Sequence, residues 1–167
     1  MTGFAPSMRD QLATLLPRLR RFARTLARHE ADADDLVQLA LERALVRQAQ
    51  WQPDTRLDSW MYTIIRNAWI DEVRQRRRRG THVDMDEFAD VIPDRAPDTG
   101  TDMMSVQEAL DLLPEEQRSA VSLVLIEGLS YKEAAHITQV PIGTLTSRLA
   151  RGRGNLQKLL HPAEHAS

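Results

Sequence analysis

Residues 130–151 read SYKEAAHITQVPIGTLTSRLAR, and their types and spacing suit a helix-turn-helix. Ala134 and Ala135 are small enough for a second helix to cross the first closely. Ile137 and Val140 are placed to plug the corner, and Pro141 sets the backbone angles as the next helix begins. Leu145 and Leu149 then fall on an inward face. Thr144, Thr146, Ser147, Arg148 and Arg151 fall outward. Short hydroxyls and arginines near a helix start are the chemistry that meets phosphates and base edges in the major groove of DNA. The same pattern would also make an ordinary helical hairpin with a solvated face.

A second group of candidates lies in the first half. Asp34, Asp35, Gln38 and Glu42 fall within about two turns of one helix, and Asp35, Gln38 and Glu42 share a face. Acids here would also favour a helix N-terminus, which is the simplest account of Asp34. Further on, Arg66, Asn67 and Arg74 are polar positions among the aromatics Trp60, Tyr62 and Trp69, and residues 74–79 read RQRRRR. Arginine suits phosphate and asparagine suits a base edge. The aromatics read more simply as core. The arginine run reads either as phosphate anchors or as a disordered basic tail.

Charge distribution supports a polyanionic partner where net charge does not. The 167 residues sum to a net charge of −2. Yet residues 9–28 carry six arginines against one acid, and Arg148 to Lys158 holds no acid at all. Residues 84–102 are acidic, with Arg95 alone against seven Asp and Glu. Basic blocks of this kind suit nucleic acid. There is no cysteine, which fits a reducing compartment and rules out a disulfide framework. No apolar run approaches membrane length, and Met1 to Met8 lacks the pattern of a signal peptide. No phosphate-cradling glycine loop or supported nucleophile is present, so no catalytic site and no cofactor are expected. His161 and His165 have helical spacing but no companion ligands, so no metal site is expected.

The elements that must position these residues are helical throughout. Leu12, Leu15, Leu16, Leu19, Phe22, Ala23 and Leu26 form one apolar stripe, with Pro17 expected to kink the helix or to begin it. Asp32 is expected to cap a second helix from Ala33 to about Gln48. Residues 51–56, WQPDTR, read as a loop before a third helix that runs out into the arginines. Ser105 with Glu108 and Ser130 with Glu133 fit capping boxes. Pro114 suits the first position of a helix ending before Gly128. The last helix is expected to reach about Leu160, with Gly152 and Gly154 weakening it by about 1 kcal/mol each against alanine, so that it frays. The fold expected is all-α: a helical bundle over 8–79, a flexible acidic linker over 80–104, a helix-turn-helix domain over 105–160 and a tail over 161–167.

With these motifs in place, the chain resembles the extracytoplasmic-function sigma factors of bacterial RNA polymerase. The segment LPEEQRSAVSLVLIEGLSYKEAAHITQVPIGTLTSRLARGRGNL is similar to their region 4, which reads the −35 promoter element. ADADDLVQLALERAL is similar to region 2.2, which docks on the clamp helices of core polymerase, although Leu39 stands where many relatives carry an acid. LDSWMYTIIRNAWIDEVRQRRRR is similar to regions 2.3 and 2.4, which open and read the −10 element. The resemblance implies that Asp34, Asp35, Gln38 and Glu42 meet the β and β′ subunits of core polymerase. It assigns Gln52, Asp54, Thr55, Arg56, Arg66, Asn67, Arg74, Arg76 and Arg77 to the −10 element. Within the first of these, the loop Gln52 to Arg56 corresponds to the one that captures a flipped base. Thr144, Thr146, Ser147, Arg148 and Arg151 would meet the −35 element. The linker would thread through the polymerase cleft.

The function implied is promoter recognition, melting and initiation in the cytoplasm, for a stress regulon, with no small-molecule substrate and no membrane insertion. The sequence carries no sensory extension, so an anti-sigma factor is expected as a further partner. Two other readings stay open at this point. One is a sigma mimic that binds an anti-sigma factor without touching DNA, against which the basic helices argue. The other is a dimeric helix-turn-helix activator, which would not need the first half of the chain.

Overall fold

The computed structural model describes residues 6–80 and 104–164. The expected acidic linker therefore lies almost wholly outside the described residues, as does His165. All regular elements among the described residues are helical. The chain divides into two compact units, residues 1–79 and 80–167.

The first unit is a bundle of three helices, α1 (Met8–Ala27), α2 (Glu30–Val46) and α3 (Leu57–Arg78), each packed on the other two. Ser7 starts α1 through a capping box: its hydroxyl accepts from the Asp10 N–H, and the Asp10 carboxylate accepts from the Ser7 N–H. Pro17 does not begin the helix, because α1 starts at Met8 and passes through Pro17, which sits on the exposed side. The core contains Leu19, Phe22 and Leu26 from α1, Leu36, Val37 and Ala40 from α2, and Met61, Tyr62 and Ile65 from α3. Phe22 meets Tyr62 edge-on, with ring centroids 5.0 Å apart. Tyr62 is thus core, whereas Trp60 and Trp69 are only half-buried.

One boundary is corrected. Asp32 does not cap α2, which begins earlier at Glu30 behind His29 and a two-residue connection. Asp32 lies inside the first turn, where its charge still favours the helix dipole, while Asp34 lies beyond that turn. Asp32 also accepts a salt bridge at 3.2 Å from Arg76, joining the start of α2 to the end of α3.

The second unit holds α4 (Val106–Asp111), α5 (Glu115–Val121), α6 (Tyr131–Thr138) and α7 (Ile142–Leu160). Ser105 with Glu108 and Ser130 with Glu133 form complete capping boxes. Pro114 sits at the cap of α5, one position earlier than expected. Beyond Val121 the coil widens to a π-type turn over Ser122–Ile126 and stops where Gly128 adopts φ +71°. The buried Arg118 guanidinium donates to the Leu113 carbonyl at 3.1 Å, pinning the corner between α4 and α5.

α7 runs unbroken through Gly152 and Gly154. Gly152 is buried against α5. A Cβ there would stand 2.7 Å from Val121 Cγ2 and 3.2 Å from the Gln117 carbonyl oxygen. The glycine therefore permits the crossing of α5 and α7, and Asn155 one turn on donates to the Gln117 side chain at 2.8 Å.

Candidate nucleic-acid interface

In the second unit, α6, a left-handed corner at Gln139 and α7 form the helix-turn-helix. Ala134, Ala135 and Ile137 are buried beneath it, as are Leu145 and Leu149. Thr146, Ser147 and Arg151 are exposed on α7, and Thr144 is half-buried. The Thr146 hydroxyl donates to the Ile142 carbonyl at 2.8 Å, which leaves its oxygen lone pairs outward. Arg148 is less exposed than Thr146, Ser147 and Arg151. Its Nη2 lies 2.9 Å from Glu116 Oε1 on α5, so α5 helps to hold an arginine of the second helix.

In the first unit, Asp34, Asp35, Gln38 and Glu42 are all exposed on α2. On the 3.6-residue period of α3, Arg66, Asn67, Arg74 and Arg77 fall within about 100° of one another. Trp60, Thr63 and Ile70 share that side, and none of these seven residues is fully buried. Arg76 points elsewhere: it bonds Glu72 at 3.0 Å and Asp32 at 3.2 Å. The structure thus separates Arg76 from the other candidates and gives it a bracing role. A groove of about 310 Å³ between α2 and α3 is lined by Leu39, Arg43, Asp71, Arg74 and Arg78, with Arg43 paired to Asp71 at 3.1 Å.

The loop over 51–56 exposes Gln52, Asp54, Thr55 and Arg56. It closes on itself where the Thr55 N–H and hydroxyl both donate to the Gln52 carbonyl, at 2.9 and 2.7 Å. At its exit stands a residue that sequence reasoning passed over. Asp58 is buried in the first turn of α3 and accepts four hydrogen bonds. Arg56 donates twice, Nε to Oδ1 at 3.1 Å and Nη2 to Oδ2 at 2.7 Å. Arg18 of α1 donates to Oδ2 at 3.1 Å, and the Ser59 N–H donates to Oδ1 at 2.7 Å. The Arg18 guanidinium also lies 5.9 Å from the Tyr62 ring centroid. An acid in a helix's first turn was the available signal for Asp58. Its partner Arg18, 40 residues away, had none.

Burial alone would raise the Asp58 carboxyl. The Arg56 and Ser59 hydrogen bonds and the charges of Arg56 and Arg18 outweigh that and hold it below the usual carboxylate value. A carboxyl whose folded pKa is lowered contributes stability above its unfolded pKa, near 4, and loses it as pH falls through the folded value. Below about pH 4 this contribution should decline, and it is gone once the pH lies below the folded value. Thermal melts of the wild type should therefore fall off more steeply with acid than those of Asp58→Asn. Equal slopes would mean that the pairing does not persist in solution.

Comparison with known proteins agrees with both halves. The Sigma-70 region 2 family matches residues 12–79, and the Sigma-70 region 4 family matches residues 103–156. The ECF RNA polymerase sigma factor EcfG of Rhodopseudomonas palustris is 38% identical over 156 residues, covering 93% of this chain and 86% of that protein. The ECF sigma factor SigM of Mycobacterium tuberculosis is 37% identical over 144 residues, covering 85% of this chain and 71% of that protein. Among solved structures, the sigma factor RpoE of Bartonella quintana, in complex with the anti-sigma factor NepR, is similar with a TM-score of 0.75. It is 34% identical, and the match covers 93% of this chain and 97% of that one. A match to both sigma regions in order, and to relatives over most of their length, leaves no room for a dimeric activator or an enzyme: the chain belongs to the extracytoplasmic-function sigma factors, the transcription initiation subunits of RNA polymerase.

Proposed function

We propose that the chain divides the work of initiation between its two units. The exposed Asp34, Asp35, Gln38 and Glu42 face of α2 docks on core polymerase. The loop 51–56 and the Arg66, Asn67, Arg74 and Arg77 side of α3 take the melted −10 strand, with Arg77 to Arg79 as phosphate anchors. The α7 residues Thr144, Thr146, Ser147, Arg148 and Arg151 read the −35 element. The reading rests most on one observation: α7 buries Leu145 and Leu149 while Thr146, Ser147 and Arg151 stay in solvent. That is the arrangement a helix needs to enter the major groove.

The finer parts of the proposal are melting, a stress regulon and an inhibitor. Melting needs groups that hold bases out of the stack, and the half-buried Trp60 and Asn67 beside exposed arginines supply stacking and polar contacts. Control by an anti-sigma factor is proposed because the similar RpoE of Bartonella quintana was solved with one. Such a partner would raise the chain's apparent stability by mass action. The site of action is the cytoplasm, with the polymerase.

Run-off transcription with purified core polymerase on a genomic promoter library tests the whole reading. The chain should direct initiation without another specificity subunit. The Asp35→Ala/Gln38→Ala double variant should keep its helical circular dichroism and lose polymerase affinity, so that initiation falls at limiting concentration. A wild-type chain that never enters the polymerase complex would sink the proposal and favour a sigma mimic.

A further inference from the structure

We propose that Asp58 is a positioning residue for capture of the melted −10 strand, acting through Arg56. The inference rests on the reading that the loop 51–56 touches that strand. Arg56 is the last residue of the loop and the cap of α3, and half of its side chain is exposed. An exposed arginine would ordinarily sample many rotamers, and ordering it on DNA would cost side-chain entropy. Here Asp58 engages Nε and Nη2 together, on its two separate oxygens. That two-point grip fixes the plane of the guanidinium as well as its position.

The grip is itself held from below. Asp58 is only 7% exposed, and its Oδ1 is tied to the Ser59 N–H at the start of α3. Arg18, on a different helix, reaches the same carboxylate from the bundle side and stacks against the buried Tyr62. The loop's terminal cation is therefore referenced to the core of the bundle. Two guanidiniums, from the loop and from α1, meet on one carboxylate at the loop exit. Arg18 thus joins the site from α1, an element that no motif of the −10 region includes.

Charge and position predict opposite signs for one substitution. Asp58→Asn removes a negative charge beside DNA, so charge alone would tighten phosphate binding. Loss of positioning would weaken it. The measurement uses holoenzyme built from the full chain and core polymerase. The probe is a fork-junction DNA, with the non-template −10 strand single-stranded, taken from a promoter recovered by run-off transcription. Asp58→Asn should weaken fork binding by about tenfold, the scale of one good contact. Its affinity for core polymerase should stay at the wild-type level.

In an Arg56→Gln background the same change should do almost nothing further, because the residue it positions is gone. Should Asp58→Asn fail to fold, Asp58→Glu keeps the charge and displaces it, and should give a smaller loss of the same sign. Equal or tighter binding by Asp58→Asn overturns the inference. So does an equal loss in the Arg56→Gln background, which would mark a general structural effect. If wild-type holoenzyme shows no preference for the single-stranded −10 fork over a fully duplex control, the underlying reading fails first and the inference with it.

Discussion

Replacing Gly152 with alanine is expected to destabilise the second unit by about 1–3 kcal/mol, the usual cost of overpacking a tight contact. Replacing Gly154 with alanine, two residues on, is expected to stabilise it by up to about 1 kcal/mol. Helix propensity favours alanine at both places equally, so the difference in sign isolates packing. At Gly152 the added methyl meets Val121 Cγ2 at 2.7 Å and a carbonyl oxygen at 3.2 Å. Val121 is buried and branched next to the backbone, and the carbonyl belongs to α5, so neither can swing aside. Relief requires α7 to move off α5, which would also stretch the 2.8 Å bond from Asn155 to Gln117. At Gly154 nothing stands within 4 Å, so the propensity gain is kept. Denaturant melts of the two variants decide it. A Gly152→Ala chain as stable as Gly154→Ala would mean that the two helices do not approach this closely in solution.

The same glycine marks the limit of what was legible in the sequence. Local signals were read well where the cause is local. Ser105, Glu108, Ser130 and Glu133 sit three residues apart, and the capping boxes they form need no knowledge of the rest of the chain. The apolar periodicity of α1 and α7 likewise named their buried faces, with Leu19, Phe22, Leu145 and Leu149 all inside. Local signals fell short where a residue's partner is distant. Asp32 has the chemistry of a cap, but its carboxylate answers Arg76, 44 residues away. Gly152 looks like a helix breaker until α5 is brought against it. Arg76 looks like one more arginine of a basic run, yet the helical period turns it toward Asp32 and away from its neighbours. Asp58 lies in the segment similar to region 2.3 with no role of its own there, because its meaning comes partly from Arg18 on another helix.

Substituting Arg148 should damage −35 binding by more than the one phosphate contact it removes. Arg148 and Arg151 are both cations on the outward side of α7, and each lost phosphate contact should flatten the log-log salt dependence of binding by about 0.9. Arg148 has Glu116 at 2.9 Å. While the pair is intact, the acid steadies the guanidinium and its own charge is balanced. In Arg148→Gln the phosphate contact is lost and Glu116, half exposed, is left as an unbalanced negative charge near the DNA. The repulsion adds to the loss. The ion pair itself contributes little to stability, about 0.2–1 kcal/mol for an exposed pair, so folding should be almost unaffected. Removing both charges in Glu116→Gln/Arg148→Gln should recover part of the affinity but not the salt slope. Thr144 and Thr146 substitutions should behave differently, shifting base preference by about 1–3 kcal/mol for a good contact while leaving the slope alone. Binding titrations of holoenzyme to duplex −35 DNA across a salt series measure all of these. A double variant that recovers no affinity over Arg148→Gln would place Glu116 outside the reach of DNA and leave its bond to Arg148 as a purely internal brace between α5 and α7.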